Sequence, residues 1–151
     1  MLNFHSSWSH PYLSQLSDAD VTSQMTQLEA AHQSILGFFP TYMRPPYFDY
    51  SAQTLNVLGG LGYHVIQCDI DTKDYENDSP SLIQNAYNNF QAGLNGGGTI
   101  KLTHDVHQNT VVTLVQELIT AIKAKGLTRK FINPLPCGFL SCLVEIVMLT
   151  S

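Results

Sequence analysis

The sequence predicts an α/β fold in which helices alternate with parallel strands. Three observations carry that prediction. Segments with apolar residues at three- and four-residue steps alternate with short apolar runs. Capping residues, glycines and prolines stand at the junctions between them. Polar clusters follow three of the short runs, at the strand ends where α/β folds place their functional groups.

Residues 18–36 form the first predicted helix. Val21, Met25, Leu28, Ala31 and Ile35 share one face, Ser17 or Asp18 caps the start, and Gly37 fits just past the end. Residues 38–43 are apolar and aromatic and run into Arg44-Pro45-Pro46. Proline stops a helix there, so a buried strand is predicted. A second helix is predicted over 51–61, capped by Ser51 and closed by Gly62. Residues 63–70 read as a strand ending in an acidic loop. Ser79-Pro80 opens a third helix, with Leu82, Ile83, Ala86, Tyr87 and Phe90 on its face. The glycine-rich residues 93–98 read as a flexible connection, and 99–103 as a strand. A long helix over 110–125 puts Val111, Leu114, Val115, Leu118 and Ile122 on one side and stops at Gly126. A last strand is predicted near 130–132.

The chain has 151 residues. That suits one domain and falls short of the roughly 200–250 residues of a full α/β barrel. Charged residues make up only 13%, while Ser, Thr, Asn and Gln together supply 43 of the 151. Amides and hydroxyls therefore wet this surface more than ions do, which fits an extracellular or cell-wall protein. The net charge of −5 argues against a nucleic-acid binder, which needs a basic face. Cys68, Cys137 and Cys142 contain no C-x-x-C pair, so no thiolate zinc site is expected. The first residues show no basic and apolar signal-peptide pattern. The apolar stretch 135–149 is interrupted by Glu145 and is shorter than the ~20 residues of a membrane span.

Four constellations could carry chemistry. His5 and His10 could bind zinc through imidazole nitrogens, or face solvent near a frayed end. Arg44-Pro45-Pro46-Tyr47 could present a guanidinium fork from a stiff loop, or be an ordinary connection with a surface arginine. Asp69, Asp71 and Asp74 at a strand end could orient a histidine or bind a cation, or form a solvated acidic loop. His104, after the strand residues Ile100 and Leu102 and on their face, could serve as a general acid or base, or be a satisfied core histidine. His32, His64 and His107 read as structural or exposed.

Taken together and in order, these segments resemble motifs of the NodB-homology polysaccharide deacetylases of carbohydrate esterase family four, fungal chitin deacetylases above all. His5 to His10 with the following Pro-Tyr-Leu is similar to the metal-binding histidine motif. Arg44-Pro45-Pro46-Tyr47 is similar to the arginine-proline motif. Asp71-Thr72-Lys73-Asp74-Tyr75 and Leu102-Thr103-His104 are similar to the aspartate motif and the final Leu-x-His motif. The resemblance covers roughly residues 5–125.

The resemblance implies an incomplete, distorted (β/α) barrel with outer helices over 1–132, followed by an apolar tail over 133–151 without family pattern. It implies metal-dependent removal of acetyl groups from N-acetylglucosamine polymers such as chitin, by an extracellular or cell-wall enzyme. Zinc, or another divalent metal, would polarise the acetamide carbonyl and activate water. His10 and His5 would be metal ligands and His104 the acid that protonates the leaving amine. Asp74 would orient His104, and Arg44 would tune the catalytic base. Tyr47, Tyr75 and Leu102 would line the substrate site, Tyr47 through a backbone N–H to the oxyanion.

This sequence also departs from the family pattern. No Thr-Phe-Asp-Asp-Gly-Pro type motif, with its base and metal aspartates, precedes His5. His5 stands five residues before His10, where the motif has four. The expectation is a chain of this family with an impaired site. The competing expectation is a saccharide-binding protein that keeps the aromatic site without turnover.

Overall fold

A computed structural model of the chain describes residues 6–130 and 148–150. It divides into two compact units, with the boundary between Gln67 and Cys68. Each is α/β and contains a parallel strand pair, as the alternation of periods predicts.

The first unit is built on helix α1, Asp18–Leu36. Its bounds are those expected, and the caps explain why. The Ser17 side chain accepts the Asp20 N–H, Asp18 and Asp20 meet the positive helix end, and Gly37 closes it at φ 77°. Val21 and Met25 join Leu13, Met43, Leu58 and Tyr63 in the core. The expected apolar face continues to Ile35, but Ile35 is 78% exposed. The unit's core lies against the first turns of α1, and the last turns run past it.

Strand β1, Tyr42–Met43, pairs in parallel with β2, His64–Val65. The strand expected over 38–43 shortens to its last two residues. Pro40 brings no N–H to a ladder, and Phe38 and Phe39 before it are exposed. Helix α2, Ala52–Gly60, is held by a capping box between Ser51 and Thr54. Tyr63 donates its hydroxyl to Glu29 Oε1 at 2.6 Å. Burial, and then that carboxylate, push its phenol well above the ordinary range.

The second unit begins with β3, Ile70–Asp71, parallel to β4, Lys101–Leu102. The single strand expected over 63–70 is therefore two, one in each unit. Asp69 sits at the break. Its carboxylate accepts the N–H groups of Thr99 and Ile100 and ties the entry of β3 to that of β4.

Helix α3, Ile83–Asn95, buries Ile83, Ala86, Phe90 and Leu94. It starts later than Ser79-Pro80, which instead forms a turn whose Ser79 carbonyl accepts the Ile83 N–H. Leu82 is consequently exposed. The glycines expected as a flexible connection have a packing role. Gly93 lies inside α3, where an added Cβ would stand 2.8 Å from Ile70 Cγ2. At Gly98 it would stand 2.5 Å from Ile70 Cγ1. Both positions let the backbone approach β3 closely.

The last expected helix opens with a π-helical turn, Thr110–Leu114, and continues as α4, Val115–Ala124. The wider turn puts Thr110 and Leu114 inside and leaves Val111, expected in the core, exposed. Leu114, Leu118, Ala121 and Ile122 complete the core around Ile70 and Phe90. Strand β5, Thr128–Lys130, pairs antiparallel with β6, Met148–Thr150. The strand expected near 130–132 thus starts earlier, and residues 131–132 lie outside the described residues, as does most of the expected tail. No helix among the described residues is long and apolar enough to cross a membrane.

Candidate active site

In the second unit the acidic loop leaves β3 and turns sharply. Lys73 adopts a left-handed φ of 54° and donates its N–H to Asp71 Oδ1 at 2.9 Å. Thr72 is buried and donates its hydroxyl to the Leu102 carbonyl at 2.7 Å. These bonds turn Asp74 inward, where it is 0% exposed.

Beyond β4 the alternation stops. Leu102 and Thr103 are both buried, and His104 stands at the rim. The His104 N–H donates to Asp74 Oδ2 at 2.6 Å, and its ring Nδ1 lies 2.8 Å from Asp74 Oδ1. The Thr110 hydroxyl donates to Oδ2 at 2.9 Å. Burial pushes the Asp74 carboxyl up, but hydrogen bonds from His104 and Thr110 outweigh it and hold the group below the usual carboxylate range. An ionised carboxylate only accepts, so His104 carries its proton on Nδ1.

Two more rings flank His104, each held by a carboxylate of the same loop. Tyr75 packs perpendicular to His104 with centroids 5.5 Å apart and donates its hydroxyl to Asp71 Oδ2 at 3.1 Å. Burial and then Asp71 push its phenol up to about 12. On the other side His107 meets His104 edge to face, with centroids 5.7 Å apart. Its Nδ1 lies 3.3 Å from Asp78 Oδ2. Thr110, His107 and Asp78 escape the sequence reasoning. A usable signal was there: Asp71, Asp74 and Asp78 step by three and four, and His107 and Thr110 follow His104 at steps of three.

In the first unit the structure brings together His10, Tyr47 and Arg44's neighbours. Tyr47 follows the two prolines with φ 55° and is 59% exposed. The Tyr12 ring stacks on it at 4.4 Å, and the His10 ring meets it edge-on at 4.8 Å. The Arg44 guanidinium lies 5.7 Å from the Phe48 ring centroid and reaches toward the Gln67 carbonyl at 3.5 Å. Among the described residues the non-glycine residues with positive φ are His10, Tyr47, Phe48 and Lys73. All lie in or beside the motif segments, and such backbone strain clusters at functional sites.

His5 lies outside the described residues. Among the described residues no group of three or more His, Cys, Asp or Glu gathers as a metal site. Catalytic zinc takes three protein ligands, so the described residues alone do not fit a zinc centre.

The profile of the family described as polysaccharide deacetylase matches residues 3–66. A chitin deacetylase of Pestalotiopsis sp is 63% identical over 121 residues, covering 80% of this chain and 40% of that protein. A chitin deacetylase of Colletotrichum lindemuthianum is 47% identical over 123 residues, covering 79% of this chain and 50% of that protein. The chain thus spans half or less of the length of these curated relatives. The solved structure of the Colletotrichum lindemuthianum chitin deacetylase matches with a TM-score of 0.79 and 46% identity, over 83% of this chain and 57% of that one. A family 4 carbohydrate esterase from Streptomyces lividans, solved with acetate, matches with a TM-score of 0.73 and 27% identity, over 89% of this chain and 67% of that one.

Proposed function

The chain belongs to the polysaccharide deacetylases, and from that premise we propose that its fold serves hydrolytic removal of acetyl groups from N-acetylglucosamine polymers, chitin first among them. The observation that carries this reading is the buried Asp74 carboxylate gripping His104 at both its N–H and its Nδ1. Cleaving an amide requires a proton for the departing amine. His104, with Nδ1 fixed on Asp74, would offer that proton from Nε2. Asp74 would stabilise the charged ring without taking the proton itself. Tyr75 and Leu102 would border the acetyl group. By the family resemblance, Tyr47 would meet the sugar and Arg44 would tune the catalytic base. Zinc is the metal this family resemblance implies, and His10 is the ligand it would find among the described residues. The products would be acetate and a glucosamine unit, and the family resemblance and the amide- and hydroxyl-rich composition favour the cell wall or the outside of the cell.

The 151 residues carry no aspartate ahead of His5. A positioned general base contributes about 10²–10⁴ in rate. The test compares the 151-residue polypeptide, with zinc added, with a chimera bearing a Thr-Phe-Asp-Asp-Gly-Pro type segment ahead of Met1. The chimera is expected to release acetate from N-acetylglucosamine oligomers, and to lose that activity on His104→Ala. A chimera that folds and stays inert, or one indifferent to His104, would sink the reading.

A second reading, saccharide binding without turnover, is favoured by the stacked and half-exposed Tyr12 and Tyr47 rings. Aromatic faces of that kind suit the apolar face of a pyranose. Tight oligomer binding by the 151-residue chain with no dependence on zinc supports it.

A further inference from the structure

The acidic loop holds more than the Asp74–His104 pair. Four residues on, Asp78 repeats the arrangement with His107, at 3.3 Å between Oδ2 and Nδ1. Its Oδ1 accepts the backbone N–H and the side-chain amide of Asn109, each at 2.9 Å. The two imidazoles touch edge to face with centroids 5.7 Å apart. We propose that Asp78–His107 is a second carboxylate–imidazole pair that sets the proton affinity of His104, making His107 and Asp78 positioning residues. Its consequence for catalysis rests on the reading of His104 as the acid, whereas the coupling itself does not.

The argument is one of charge. Hydrogen bonds from Asn109 hold the Asp78 carboxyl below its ordinary range, so it is an anion at neutral pH. A protonated His107 beside that anion makes a neutral pair, and His104 feels little from it. Without the anion, the His107 charge repels a proton arriving on His104. Without His107, the uncompensated anion attracts it. The other charged groups around the rings are Asp74 on His104, Asp71 on the Tyr75 hydroxyl, the Lys73–Glu76 pair at 3.6 Å and Asp105 next in the chain. All stay in place when either member of the pair is replaced, so opposite shifts isolate the pair.

The experiment is an NMR titration of the His104 imidazole in the full chain as parent, Asp78→Asn and His107→Gln. One charge at this separation through water moves a titration midpoint by about half a unit. The His104 midpoint is expected to fall by about that much in Asp78→Asn and to rise by a similar amount in His107→Gln. Asp78→Glu is expected to restore the parent value. If His107→Gln does not fold, His107→Phe keeps the ring packing and is expected to give the same rise. Midpoints that stay put, or that move the same way in both variants, overturn the proposal. The readout needs no turnover, so opposite shifts in an inert chimera uphold the coupling while removing the catalytic reading.

Discussion

Asp74 binds His104 twice: Oδ2 takes the backbone N–H at 2.6 Å and Oδ1 takes ring Nδ1 at 2.8 Å. One carboxylate therefore fixes both where the residue sits and how its ring is turned. Both bonds are made within the protein, so the ring is oriented before any substrate arrives.

Asp74→Asn should separate these functions. The amide oxygen still accepts one N–H, but the amide nitrogen faces a second donor. Leaving buried donors unmatched costs about 1–3 kcal/mol. Chemical denaturation is expected to show a loss of that order, and the active chimera should lose about 10²-fold or more in acetate release. Unchanged turnover with the predicted loss of stability would mean that Asp74 is structural only.

The same residue gives the chain an acid dependence. Burial raises the Asp74 carboxyl, and the His104 and Thr110 hydrogen bonds lower it further than burial raises it. A carboxyl depressed on folding contributes stability that is present above its unfolded value and lost as pH falls through its folded value. The unfolded value is about 3.9, so the parent should lose stability below about pH 4. Asp74→Asn, measured from pH 6 to pH 2, should lose less over that window. Parallel pH profiles for the two chains would contradict the assignment.

Thr110 tests the third bond to the same carboxylate. Thr110→Val keeps the shape and removes the hydroxyl donor to Asp74 Oδ2. The expected cost is about 1–2 kcal/mol, and Thr110→Ser should recover most of it. Equal losses for Val and Ser would show that packing of the methyl group, not the hydroxyl, matters at this position.

Gly98 leaves no room for a side chain beside Ile70 in the second unit. A Cβ at Gly98 would lie 2.5 Å from Ile70 Cγ1 and 3.0 Å from the Gly93 carbonyl oxygen. Reduced chain entropy in the unfolded state favours alanine by about 0.4–1 kcal/mol, but overpacking costs about 1–3 kcal/mol, so the clash wins. Gly98→Ala is expected to destabilise the chain, and Ile70→Val should recover part of the loss in a double-mutant cycle. Strict additivity of the two substitutions would rule out the contact as the cause.

The parts of this chain legible from sequence are those set by neighbours along it. Helix α1 ends where Ser17 and Gly37 say, because each cap acts on its own helix turn. The parallel pairing follows from the alternation of periods. What escapes is set by contacts across long stretches of chain. A strand's length depends on its partner, so residues 38–43 shrink to Tyr42–Met43 and residues 63–70 split at Asp69. Thr110 reaches Asp74 across 36 positions, and only a π-turn that no local pattern announces puts it there. Gly93 and Gly98 look pliant in sequence and are pressed against Ile70 in space. Asp74 and His104 stand out as motif members, whereas their double hydrogen bond is visible only once β3 and β4 lie side by side.

Asp71, Asp74 and Asp78 each steady a different ring, and all three lie at the end of β3 or in the short loop that leaves it. A substitution at Asp71 bears on Tyr75 and one at Asp74 or Asp78 on the imidazoles, whereas an insertion or deletion would misalign all three rings together. Its length is therefore under constraint in its own right, beside the identity of the three aspartates. Homologues compared over this stretch should keep its residue count.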